Sequence, residues 1–171
     1  MNANELRHYL DNNDCTKRYF RGVYACDNIK EYRKYPYFII VNTDNARKEG
    51  EHWLVLFYTQ PLMLEIFDSL GMDLKAYKCL SIYLAKTPQR QIERNDRLLQ
   101  SPFSNLCGAH CLLYCHIKCC YKIALQTILN RYYIKDVDFN DCKVLYYMRK
   151  LYSLKSDVLK KMLITTANKC E

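Results

Sequence analysis

Cys107 stands where a polar, turn-rich approach, QSPFSNL at positions 100–106, runs into the apolar stretch CGAHCLLYCHIKCC. A cysteine attacks as its thiolate, and the unpaired N–H groups and macrodipole of a helix N-terminus favour that negative charge. Pro102, Ser104 and Asn105 punctuate the approach, and Leu112, Leu113, Ile117, Ala124 and Leu125 follow at a spacing near 3.6. That pattern predicts a helix with the thiol at its mouth. Gly108 lets backbone come close to whatever meets the sulfur, and Gln100 offers a side-chain N–H to an oxyanion developing beside it. A cysteine opening an apolar helix is more often a small core hydrophobe, so a nucleophile needs a base.

Two apolar runs, Tyr37 to Asn42 and His52 to Tyr58, are joined by TDNARKEGE, and a third, Met63 to Phe67, follows closely. They predict three sequential antiparallel strands. His52 opens the second run and Asp68 follows the third, and in an antiparallel pair the start of one strand lies beside the end of its neighbour. Asp68 accepting from one imidazole nitrogen would fix the tautomer and leave the other to face Cys107. Trp53 is expected to wall the imidazole from water. Taken singly, a strand-end histidine is usually solvated and an aspartate before Ser69 and Gly71 is usually a turn residue; together they supply the parts of a thiol protease site. Three of the four glycines, Gly50, Gly71 and Gly108, sit beside these residues, where backbone geometry would matter.

The elements that must position these groups can be read along the chain. Asn2 or Asn4 caps a first helix through Leu6, Tyr9 and Leu10, and YFRGVYAC holds a turn or short strand. HWLVLFY is apolar almost throughout, which makes it a central strand covered on both faces. Met72 to Lys86 reads as an amphipathic helix, and Pro88 to Arg97 as a polar link to a short edge strand at Leu98–Leu99. Asn140 and Asp141 look like caps for a helix through Val144, Leu145, Met148 and Leu151, and Asp157 opens a last helix over Val158 to Ile164. His8 is expected at the surface, and His110 is the lesser alternative to His52 as base. Cys107, Cys111, Cys115 and Cys119 form one helical stripe, but there is no second knuckle, so no metal is expected.

At 171 residues and half hydrophobic, the chain is expected to fold as one domain over 1–171, with a core at about 1–125 and a basic helical part at about 126–171. Its formal charge is +8, and from Cys111 onward eleven lysines and arginines face five acids. That surplus, interleaved with tyrosines, favours non-specific contact with a phosphate backbone. The polar start MNANELRHYLDNND has no signal-peptide character, so reduced thiols in cytosol or nucleus are expected and secretion is not. No apolar run reaches the roughly 20 residues of a membrane span, so no membrane partner is expected.

GEHW at 50–53, FDSLG at 67–71 and QSPFSNLCG at 100–108 resemble the adenovirus protease family, adenain and its relatives in virus-like mobile elements, and YFRGVY and IIVNTDNARKEGEHW look similar too. The resemblance runs from about Leu6 to Cys120. It implies an α+β fold, a mixed and mainly antiparallel sheet flanked by helices, as in SUMO proteases. It also implies a cysteine endopeptidase with His52 as base, Asp68 as orienter, Cys107 as nucleophile and Gln100 as oxyanion donor, and Gly50, Trp53 and Gly108 as residues that meet substrate. Such enzymes mature viral precursor polypeptides after glycine-containing motifs, in the virion and in the host nucleus or cytoplasm. They need no cofactor for chemistry, and DNA and a short viral peptide stimulate them. A monomer is expected. Two departures stand out: Asp68 replaces a glutamate, and no cysteine lies near Gln89 to bond an activating peptide, Cys79 being the nearest upstream. A SUMO or ubiquitin-like-protein protease, whose glutamine usually lies six rather than seven positions before the cysteine, and a non-catalytic DNA-binding virion protein are the alternatives.

Overall fold

The runs YFIIVN, HWLVLFY and MLEIF place apolar side chains on both sides of the pleat, so strands built from them must be covered on both faces. The computed structural model describes residues 1–48, 50–87 and 91–152. In it the three runs form β2 (Tyr37–Asn42), β3 (Trp53–Gln60) and β4 (Met63–Phe67), and β1 (Phe20–Ala25) and β5 (Gln91–Arg94) lie at the edges of one five-stranded sheet in sequential order. The two inner pairings are antiparallel and the two outer ones parallel. The fold is α+β with a mixed sheet, as the sequence predicts.

Alternation along the strands divides the core in two. Phe38, Ile40, Val55, Phe57 and Phe67 face one side, and Tyr37, Ile39, Leu54, Leu56 and Ile66 face the other. The first side is covered by α1 (Ala3–Asp11), α3 (Cys107–Tyr121), α4 (Leu125–Leu129) and α5 (Val137–Tyr152), and the second receives Leu80 of α2 (Lys78–Lys86). Among the described residues no helix is long and apolar enough to cross a membrane. Asn2 caps α1 through a reciprocal capping box with Glu5.

One charge on β4 fixes how α3 lies. Glu65 is buried on the α3 side, where Tyr114 Oη donates to it at 2.9 Å and Lys118 Nζ at 2.6 Å. A buried carboxylate without those partners would be strongly destabilising. The pair therefore sets the height of α3 over the sheet, and with it the position of the first residue of α3.

Several expectations need correction. The edge strand is β5, inside the polar link, and Leu98–Leu99 is not strand; its exposed side chains hid it. Met72 to Lys86 is broken into a 3-10 turn at Leu74–Ala76 and α2. Asn140 and Asp141 lie within α5, and the side chain receiving a first-turn N–H, that of Phe139, is Asp136 at 2.8 Å. The thiols are not all reduced: Cys15–Cys120 and Cys26–Cys79 are disulfides, with Cα atoms 5.1 and 5.7 Å apart, inside the bonding range. The expected helix over Val158 to Ile164 lies outside the described residues.

Candidate active site

His52 immediately precedes β3 and Asp68 immediately follows β4, and Val55 pairs with Phe67 in that antiparallel ladder. The two side chains therefore meet at one end of the sheet, where His52 Nε2 donates to Asp68 Oδ1 at 2.7 Å, both groups being buried. Asp68 also accepts from Leu70 N at 2.9 Å, Met72 N at 3.1 Å and Tyr77 Oη at 2.9 Å. Four donors fix both carboxylate oxygens. The turn that brings Leu70 and Met72 round needs Gly71: its φ is +60°, and a Cβ there would lie 2.2 Å from the Arg97 carbonyl oxygen. Asn95, 1% exposed, holds the Asp68 backbone from the other side, accepting from Asp68 N at 2.9 Å and donating to Asp68 O.

Cys107 is the first residue of α3, and Leu106 before it offers no capping side chain. The N–H groups of the first turn and the helix dipole are thus left to the sulfur. With Nε2 taken by Asp68, the remaining imidazole nitrogen, Nδ1, is the one left to hydrogen-bond Cys107. Burial works to lower the His52 pKa, but the hydrogen bonds to Asp68 and Cys107, with the charges of both, outweigh it and push it up to about 9. Burial works to raise the Cys107 thiol, and the His52 hydrogen bond and charge, with a hydrogen bond to the Trp53 backbone, carry it below its ordinary value. The Asp68 carboxyl is likewise lowered: burial opposes ionisation, and the His52 hydrogen bond and charge overcome it. Both shifts favour the thiolate–imidazolium form of the pair. Cys111 and Cys115, one and two turns along, differ: burial pushes both well above the ordinary thiol value.

Gln100 is 2% exposed, and its amide is oriented at both ends. Ser69 Oγ donates to its Oε1 at 2.7 Å, and its Nε2 donates one hydrogen to the Ser104 carbonyl at 2.8 Å. The second Nε2 hydrogen remains for the cleft that Gln100 lines together with His52, Trp53, Asn105 and Cys107, a cavity of about 390 Å³.

All four residues singled out by chemistry thus meet in one place. Of the three expected to meet substrate, Gly50 and Trp53 line the cleft, whereas Gly108 packs against Met1 and Leu6. Gly50 has φ +89°, and a Cβ there would sit 2.2 Å from Asn42 Nδ2. Tyr77 stacks on the imidazole, with centroids 6.0 Å apart, and Trp53 lines the cleft beside His52, its Nε1 donating to the Met1 carbonyl at 3.0 Å. Tyr77 and Asn95 were not anticipated, one tyrosine among sixteen and one asparagine in a polar link carrying no local signal. His110 pairs with Asp141 at 2.8 Å, fully buried. Among the described residues no group of three or more histidines, cysteines or acids is placed to hold a metal ion.

No family model matches the chain. A curated relative, a protease of bovine adenovirus C serotype 10, is 31% identical over 91 residues, and the match covers 45% of this chain and 45% of that protein, so the chain matches somewhat under half the relative's length. A solved structure, that of an ASFV protease, aligns with a TM-score of 0.38 at 17% identity over 58% of this chain and 39% of the other. In sequence, over the part that aligns, the chain resembles the adenovirus protease.

Proposed function

We propose that the chain is a cysteine endopeptidase in which Cys107 is the nucleophile, His52 the proton carrier, Asp68 its orienter and Gln100 the oxyanion donor. The observation that carries this reading is the buried His52–Asp68 contact of 2.7 Å at a cleft that His52, Cys107 and Gln100 line together. The Cys107 thiolate attacks the scissile carbonyl carbon, and the carbonyl electron pair moves onto oxygen, where the free Gln100 Nε2 hydrogen meets it. Collapse expels the amine, which takes the His52 Nδ1 proton, leaving a thioester. Water, deprotonated by His52, then attacks the thioester, releasing the acid and restoring the thiolate.

The adenovirus relative supports peptide substrates of viral origin, and the family resemblance extends the proposal to precursor polypeptides cut at glycine-containing sites during virion maturation, in the virion or the host nucleus. Stimulation by DNA belongs to the same proposal. Its support is the charge of +8 and two α5 lysines that lie over exposed rings, Lys143 over Tyr133 at 4.9 Å and Lys150 over Tyr146 at 4.6 Å. Cys79, bonded to Cys26, is not free to carry a disulfide-linked peptide activator.

The test is cleavage of a peptide with an aliphatic residue followed by glycines before the scissile bond. Wild type is expected to cut it and Cys107→Ala to leave it intact. Equal cleavage by both would remove Cys107 from the chemistry, and cleavage of a folded ubiquitin-like precursor in preference to the peptide would move the assignment to the SUMO-protease class. A Cys107 alkylated by iodoacetamide no faster than Cys119 would leave the non-catalytic, DNA-binding alternative.

A further inference from the structure

Gln100 is gripped from outside its own loop by two consecutive residues of α5. Asn140 Nδ2 donates to the Leu99 carbonyl at 3.0 Å, and Asp141 Oδ2 accepts from Ser101 N at 3.3 Å, so the backbone is held on both sides of the glutamine. Neither grip is a surface contact: Asn140, Asp141, Gln100 and Ser101 are all 5% exposed or less. The second Asp141 oxygen accepts from His110 Nε2 at 2.8 Å, and His110 lies on α3 three residues after Cys107. Asn140 is itself locked by the Tyr133 backbone, accepting from its N–H and donating to its carbonyl, both at 2.8 Å.

A buried histidine–carboxylate pair so near a nucleophile invites the thought of a second base. Geometry speaks against it, because His52 already occupies the Cys107 thiol and the His110–Asp141 contact points to α5. The pair links two things that the chemistry needs in register, the helix that starts at the thiolate and the loop that carries the oxyanion donor. A buried hydrogen bond to a charged group is directional and costly to leave unmade, so the link transmits the position of α3 to residues 99–101.

We propose that His110, Asn140 and Asp141 are positioning residues that set Gln100 against Cys107, so that the late helix α5 completes the oxyanion site without touching substrate. This rests on the peptidase reading, and it predicts an effect on the step in which oxyanion charge develops and none on thiolate formation.

The experiment is a double-mutant cycle. Asp141→Asn keeps the shape but leaves one acceptor oxygen for two donors. It is made alone and together with Gln100→Ala. Turnover of the glycine-containing peptide and alkylation of Cys107 by iodoacetamide, which develops no oxyanion, are measured on each. The expected result is a kcat roughly ten-fold below wild type for loss of one such bond, with KM and alkylation rate unchanged and with no further loss on the Gln100→Ala background. Should Asp141→Asn fail to fold, His110→Gln, which retains a donor towards Asp141, is compared with His110→Phe, which does not, and the first is expected to keep more kcat. An unchanged kcat, or an equal fall with and without Gln100, overturns the inference while wild type still cleaves. A wild type that leaves the peptide intact overturns the peptidase reading, and the inference with it.

Discussion

Replacing Asp68 by asparagine tests the electrostatic core of the site with almost no change of shape. In the wild type four donors converge on the two carboxylate oxygens, from His52, Leu70, Met72 and Tyr77. An amide has one acceptor oxygen. If its NH2 turns to the His52 and Leu70 side, it confronts the Leu70 N–H and forces His52 into the other tautomer; on the Met72 and Tyr77 side it confronts the Met72 N–H, while the Tyr77 hydroxyl can rotate to accept. The second arrangement costs less, leaves one buried N–H unpaired at about 1–3 kcal/mol, and preserves the His52 contact. What it removes is charge. The rise of the His52 pKa from 6.5 to about 9 represents about 3 kcal/mol of preference for the imidazolium, divided between Asp68 and Cys107. Assigning Asp68 about half moves the upper edge of the thiolate–imidazolium window down by on the order of one pH unit. The sign follows from linkage: a raised histidine pKa contributes stability that is complete below 6.5 and is lost as pH rises through about 9. The variant should therefore lose imidazolium, and with it turnover, at a lower pH than wild type. The assay is the pH profile of peptide turnover from about pH 5 to about pH 10, alongside NMR titration of the His52 ring. An alkaline limb that stays at the wild-type position in Asp68→Asn would refute the coupling.

Two further outcomes concern the frame. Cys15→Ser opens a closed loop spanning 105 residues and is expected to lower stability by up to about 5 kcal/mol on loop-entropy grounds, read by denaturant melts; a reductant should bring the wild-type melt towards the variant's, and indifference to both would place the stability elsewhere. Gly71→Ala puts a Cβ into the Arg97 carbonyl at a φ of +60°, so it should cost at least about 2 kcal/mol and should also displace Leu70 and Met72 from Asp68. A variant as stable and as active as wild type would show that the turn tolerates another path.

Much of the site was legible because its residues stand at punctuation marks. His52 and Asp68 flank apolar runs whose antiparallel pairing dictates that their ends coincide, and Cys107 follows a cluster of helix-start signals. Tyr77 and Asn95 were not legible, because each acts through a fold that brings residues 9 and 27 positions from Asp68 onto it, and no local pattern marks a hydrogen-bond partner. Asn140 and Asp141 misled for a physical reason: the polar side chains that cap a helix are the same ones that grip a neighbouring backbone, and only the burial of α5 distinguishes the two uses. The disulfides escaped for a related reason, since pairings across 105 and 53 residues leave no trace in spacing.

The placement of Asn140 and Asp141 has a consequence for the chain as it is made. Residues 52 and 68 leave the ribosome first, residue 107 later, and the two side chains that steady Leu99 and Ser101 last of all. The order of synthesis therefore puts the two supports after every group that they steady. A chain made as far as residue 107 carries all four candidate groups, yet the loop that bears Gln100 is braced only once α5 has been made.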